Sequence, residues 1–170
     1  MKSKRLNNLG KINRDKTLNF TWDNKKLRGF EGDSLSSALL ANNIGIVGRS
    51  FKYHRPRGIF SSGVEESGAL VTIGSKDRRD PNVRATTQEL FDGLKASGQN
   101  AFPNVNFDLG GINNYIGRFF AAGFYYKTFM GIPPFEWGKG TTIWMFFEKL
   151  IRKAAGMGSA SRLPDPDSYE

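Results

Sequence analysis

The densest run of reactive side chains is Gly48-Arg49-Ser50-Phe51-Lys52-Tyr53-His54-Arg55-Pro56-Arg57-Gly58. It holds four cations, two aromatics and the only histidine of the chain. Arg and Lys are almost never buried unpaired, so this cluster points to an anionic counterpart rather than to core packing. Arginine forks match phosphate and carboxylate oxygens, which gives Arg49, Lys52, Arg55 and Arg57 two chemistries. One is contact with the phosphate of a phosphate-bearing cofactor. The other, preferred here, is pairing with carboxylates across a subunit interface. His54 has no evident acid or nucleophile partner in the sequence and reads as a structural hydrogen-bonding residue of that interface. Tyr126 and Lys127 lie in an aromatic stretch that reads most simply as packing against another domain.

Composition removes several alternatives. The 170 residues contain no cysteine and a single histidine, so disulfides, thiolate ligation of iron–sulfur clusters, a cysteine nucleophile and a histidine-rich metal site are all excluded. With 38% hydrophobic and 24% charged residues the chain is that of a globular protein. The basic N-terminus lacks the apolar core of a signal peptide, and no apolar run reaches the roughly 18 residues of a membrane span. The expected location is the cytoplasm, with no membrane attachment. Net charge is +9, and thirteen Lys and Arg up to Arg57 face only Asp15, Asp23, Glu31 and Asp33. Such a balance suits nucleic acid, an anionic membrane surface, a phosphate-bearing cofactor or an acidic protein partner.

The elements that would position these residues follow from periodicity. Residues 1–16 read as a solvated basic tail. Thr17-Leu18-Asn19-Phe20-Thr21-Trp22 alternates as a half-buried strand, Asp23-Asn24-Lys25 turns, and Lys26 to Phe30 returns as a hairpin arm. Asp33 is the expected N-cap of a helix over Ser34–Ala41, which Asn42 and Asn43 stop. Ala69–Ile73 is a further strand, Lys76–Pro81 a charged loop, and Val83–Leu90 a strand leading to an Asp92-Gly93 hairpin turn. Residues 17–97 thus form an α+β domain of β-grasp type. Residues 98–156 form an aromatic-rich docking extension, with six aromatics between Arg118 and Met130 and an amphipathic helix carrying Ile143, Phe147, Leu150, Ile151 and Ala154 on one face. Residues 157–170 read as a linker toward a missing nucleotide-binding domain.

The residues after the cationic run carry a second pattern. Plant-type [2Fe–2S] proteins use Cys-x4-Cys-x2-Cys and a distant fourth Cys. Counted from Ser61, those positions here are Ser61, Glu66, Ala69 and, after a gap, Thr86. Two hydroxyls, a carboxylate and a methyl cannot hold an iron pair. Glu66 is open to two readings, a salt-bridge partner (preferred) or a buried general base with a raised pKa.

Together, Gly48–Ser61, Asn82-Val83-Arg84-Ala85-Thr86, the stretch Ala122–Met130 and the closing Asp165-Pro166-Asp167-Ser168-Tyr169-Glu170 resemble the N-terminal region of the alpha subunits of heterotetrameric sarcosine oxidases. The resemblance covers nearly all of the chain from about Asn13. It implies a ferredoxin-type β-grasp domain without its cluster, inside a complex that demethylates sarcosine to glycine, passes the one-carbon unit to tetrahydrofolate and forms peroxide. It implies FAD on a beta subunit, FMN between alpha and beta, and NAD on a following alpha domain, with none bound by this chain alone. It also makes Arg49, Lys52, His54, Arg55 and Arg57 candidates for contact with a flavin phosphate, and Tyr126 and Lys127 candidates to line the flavin. The implied partners are the remaining alpha domains and the beta, gamma and delta subunits. The chain lacks Gly-x-Gly-x-x-Gly, and no residues in it make a catalytic set, so its expected role is structural. The alternative is a basic nucleic-acid-binding module, which the interleaved cations and aromatics of 49–57 allow but no recognised nucleic-acid motif supports. No nucleic-acid partner is therefore expected.

Overall fold

A computed structural model of the protein describes residues 5–6, 9–76, 78–117, 147–149 and 151–152. Strand β1 (Asn13–Trp22) alternates as its sequence dictates, with Leu18, Phe20 and Trp22 buried on one face. Asp23 and Asn24 both take positive φ, 44° and 66°, which is the backbone of a two-residue turn matched to strand twist. The chain returns as β2 (Lys25–Glu31), antiparallel to β1. β1 starts four residues before the alternation does: Asn13 pairs with Glu31 in the ladder, and Lys16 forms an ion pair with Glu31. Arg5 is also held, by a two-pronged ion pair to Asp33 at 2.7 and 2.8 Å.

Helix α1 (Leu35–Ala41) buries Leu35, Ala38 and Leu39. Its N-cap is Ser34, whose hydroxyl accepts from the Ser37 amide, and not Asp33 as the sequence suggested. Asp33 is drawn away because its carboxylate is fully engaged by Arg5, the Phe30 amide and the Ser37 hydroxyl. The first-turn amides of Leu35 and Ser36 donate to the carbonyls of Gln88 and Ala85, which ties the helix to the turn that follows the sheet's outer strand. Asn42 caps the C-terminus, and Asn43 takes φ 62°.

Next comes a short antiparallel ribbon, β3 (Gly48–Arg49) with β4 (Pro56–Arg57). Strands β5 (Leu70–Ser75), β6 (Arg78–Arg84) and β7 (Lys95–Gly98) complete a five-stranded sheet of order β2-β1-β7-β5-β6. β7 runs parallel to β1 and antiparallel to β5, so the sheet is mixed. Three expectations fail here, the first being the strand expected over Val83–Leu90, which ends at Arg84 and gives way to a turn. The charged Lys76–Pro81 segment is not all loop: from Arg78 it is strand β6 at the sheet edge, where exposed charges and a proline are tolerated. The Asp92-Gly93 turn joins no hairpin, because β5 lies between β6 and β7. Asp92 instead accepts from the Asn19 amide, and Gly93 (φ 79°) donates to the Asn19 carbonyl, docking the turn on β1.

The core gathers Leu18, Phe20 and Trp22 with Leu35, Leu39, Val47, Val71, Leu90 and Leu94. Gly98 ends β7 in a close crossing. A Cβ there would lie 2.1 Å from Val105 Cγ1 and 3.1 Å from the Val47 carbonyl oxygen. Gly98→Ala is therefore expected to cost about 1–3 kcal/mol by overpacking, read as a lower urea midpoint with unchanged slope. Residues 147–149 and 151–152 are helical, with Arg152 pairing Glu148 one turn back at 2.5 Å. The remainder of the expected amphipathic helix, the aromatic stretch from Arg118 and the linker lie outside the described residues.

Candidate functional site

The loop between β4 and β5 is built around Glu66. This residue is 1% exposed, yet its carboxylate meets no cation among the described residues. Four main-chain amides converge on it instead. Phe60 and Ser61 donate to Oε2 at 2.6 and 2.8 Å, and Gly68 and Ala69 donate to Oε1 at 2.5 and 3.2 Å. The salt-bridge reading of Glu66 is thus replaced by an amide cradle. Desolvation pushes its pKa up, but the amides of Ser61, Gly68, Phe60 and Ala69 outweigh it and hold the carboxyl below its ordinary value. That direction is opposite to what a general base tuned toward neutrality needs.

The positions singled out by spacing all border this loop. Ser61 and Ala69 supply cradle amides. The Thr86 hydroxyl donates to the Gly63 carbonyl at 2.6 Å, closing the loop from the β6 side. Ala69 accepts from the Ala85 amide, and Arg84 Nε donates to the Glu66 carbonyl. Gly68 is required by the close approach: a Cβ there would lie 2.8 Å from the Gly58 carbonyl oxygen and 3.1 Å from Glu66 Oε1.

The cationic residues form the neighbouring ribbon and its connecting turn. Arg49 is half-buried and donates to the Val105 carbonyl through Nε and Nη2, at 2.9 and 2.7 Å, and to the His54 carbonyl through Nη1. Lys52 and Arg55 stack on the Tyr53 ring at 5.0 and 4.8 Å, and Arg55 also donates to Asn114. Arg57 is exposed on β4 and lines a cleft of about 370 Å³ shared with Gly68, Asn82, Gln99 and Asn100. Tyr126 and Lys127 lie outside the described residues.

His54 does have an acid partner. Its Nδ1 lies 2.7 Å from Asp108 Oδ2, while Asp108 Oδ1 accepts the amides of Phe102 and Gly110. The residues are 54 positions apart, and Gly110 makes the approach possible, since a Cβ there would sit 2.2 Å from the imidazole. Burial raises the Asp108 pKa, and the Phe102 amide and His54 overcome it, leaving the carboxyl below its usual range. The one sequence hint is local: an Asp before Leu-Gly-Gly is a good cap for a short helical turn, and residues 109–112 form one. Among the described residues, no three His, Asp or Glu side chains gather as a metal site. Asp108 thus links the turn at His54 to the loop of Phe102 and Gly110.

No helix among the described residues is long and apolar enough to cross a membrane. Residues 15–101 match the model of the 2Fe-2S iron-sulfur cluster binding domain family. The chain is 51% identical over 170 residues to the sarcosine oxidase subunit alpha of Rhizobium meliloti (strain 1021), covering all of this chain and 16% of that protein. It is 47% identical over 90 residues to the sarcosine oxidase subunit alpha of Corynebacterium sp. (strain U-96), covering 51% of this chain and 9% of that one. Among solved structures, L-proline dehydrogenase from P. horikoshii aligns with 51% of this chain and 16% of its own, at 29% identity and a TM-score of 0.42. The chain spans less than a fifth of the length of each.

Proposed function

This chain belongs to the 2Fe-2S iron-sulfur cluster binding domain family, and from that membership we propose that it is a cluster-free β-grasp domain of a sarcosine-oxidase-like alpha subunit. The family's cluster does not fit here. The chain has no cysteine, Ala69 offers no donor atom, and the Glu66 oxygens face four amides rather than open space. The observation that carries the reading is that carboxylate in its cradle: the loop is finished without iron, so the domain supports an assembly instead of relaying electrons. Residue identity with the sarcosine oxidase alpha subunits supports a sarcosine-oxidase-like assembly.

In this reading the whole complex oxidatively demethylates sarcosine to glycine, delivers the one-carbon unit to tetrahydrofolate and forms peroxide. FAD is held by the beta subunit, FMN between alpha and beta, and NAD by a following alpha domain, in a cytoplasmic heterotetramer that also contains gamma and delta subunits. This chain contributes contact surface. Supporting that role, Phe102, Phe107, Leu109, Ile112 and Tyr115 are between 59% and 83% exposed on the segment after β7, next to the cations of the ribbon. Arg57 is the ribbon cation best exposed to meet an FMN phosphate or a partner's carboxylate, and Tyr126 and Lys127, outside the described residues, remain candidates for the same contacts.

The test is co-expression of the tagged chain with the remaining alpha sequence and the other subunits, followed by a visible spectrum and subunit masses. Flavin absorption accompanying larger partners is expected, and Arg57→Ala should weaken flavin retention or partner capture. A colourless 19.0 kDa species recovered alone would sink the proposal.

A further inference from the structure

We infer that Glu66 is a built-in substitute for an anionic cluster, a carboxylate that satisfies the amides of a cluster-type loop from within the chain. The inference rests on the reading above, in which Ser61, Glu66, Ala69 and Thr86 stand at ligand positions. In clusters of this kind the sulfurs accept hydrogen bonds from the surrounding protein. A loop shaped to give those bonds keeps convergent amides, and without an acceptor each would be a buried unsatisfied donor. Here amides from both flanks, Phe60 and Ser61 on one side and Gly68 and Ala69 on the other, close on the two oxygens of one side chain. Convergent main-chain amides are an anion-binding concavity.

Three further features fit a cavity filled from inside. Glu66 is among the largest fully buried side chains, and none of the ion pairs among the described residues includes it, so its charge is balanced by amide dipoles. Ala69, at the third position, is fully buried and adds no polar atom that would compete for the cradle. Thr86, at the fourth, turns its hydroxyl to the Gly63 carbonyl and seals the loop. The cradle thereby becomes independent of iron and of redox state.

The experiment removes the internal anion and offers an external one. In the full chain, Glu66→Ala is expected to lower the thermal midpoint by about 10 °C or more, since several amides lose their acceptor. Formate or acetate, at ionic strength matched with chloride, should restore part of that loss. Neither should shift the wild type or Gly98→Ala, which is destabilised by overpacking and loses no anion. Should Glu66→Ala fail to fold in any of these salts, Glu66→Gln decides: it keeps the volume but turns an amide N–H₂ toward the donors. It is expected to melt below the wild type and to lose part of the wild type's stability change at acid pH. Rescue by chloride equal to that by formate, or a Glu66→Gln protein melting like the wild type with the same acid response, would overturn the inference. Formate rescue in a chain that captures no flavoprotein would keep the substitute and remove the assembly. Flavoprotein capture with no effect at Glu66 would do the reverse.

Discussion

Asp33→Ala is expected to lose about 3–5 kcal/mol of stability, enough to threaten folding of a domain this size. The side chain is fully buried where β2 turns into α1, and it collects both prongs of Arg5, the Phe30 amide and the Ser37 hydroxyl. Truncation leaves a guanidinium half-sheltered over the Phe30 ring, 5.2 Å from its centroid, and strips an acceptor from a buried amide. Arg5→Ala should cost less, about 1–3 kcal/mol, because the Phe30 and Ser37 donors remain to hold the carboxylate. The pH dependence has a definite sign. Desolvation raises the Asp33 pKa, but Arg5, Phe30 and Ser37 together bring it below its ordinary value. Its contribution is therefore complete above the unfolded pKa, near 3.9, and is lost as pH falls through the lower folded value. Urea unfolding of both variants at neutral and acid pH checks the ranking and the slope. Equal midpoints for Asp33→Ala and wild type would remove the clamp from the account.

Asp108→Ala is expected to cost about 2–4 kcal/mol, because one truncation orphans the Phe102 and Gly110 amides and frees His54. Asp108→Asn should recover most of this, since its carbonyl oxygen can still accept both amides and only the histidine contact is lost. Hydrogen exchange gives a readout specific to the loop: the Phe102 and Gly110 amides should lose protection in the alanine variant and keep it in the asparagine one. The same loop presents the Val105 carbonyl to Arg49, so loosening it should also unsettle the cationic ribbon. Protection unchanged in Asp108→Ala would show the segment to be held by other contacts.

Elements set by short-range periodicity were legible in advance. The alternation of Leu18, Phe20 and Trp22 marks β1, and the apolar spacing of Leu35, Ala38 and Leu39 marks α1. Only the end of edge strand β6, at Val83 and Arg84, was legible, because Arg78-Arg79-Asp80-Pro81 lacks a buried face and so lacks the alternation that a half-buried strand carries. The destination of the Asp92-Gly93 turn was equally hidden. Its residues favour a tight turn wherever it sits, and only the insertion of β5 between β6 and β7 decides that no hairpin follows.

By itself, the sequence determined what chemistry is possible. A chain without cysteine cannot hold a thiolate-ligated cluster, and Glu66 within the Ser61-x4-Glu66-x2-Ala69 spacing marks where the difference lies. Only the tertiary structure decided what Glu66 does. A carboxylate's cation partner can be guessed from a nearby Lys or Arg, but amide partners have no signature, since every residue except proline carries the same N–H. Whether four of them converge depends on backbone angles that the packed loop fixes. The pairing of His54 with Asp108 and of Arg5 with Asp33 had the same origin. Those partners lie 54 and 28 residues apart, and the folded sheet, not the local sequence, brings them within 3 Å.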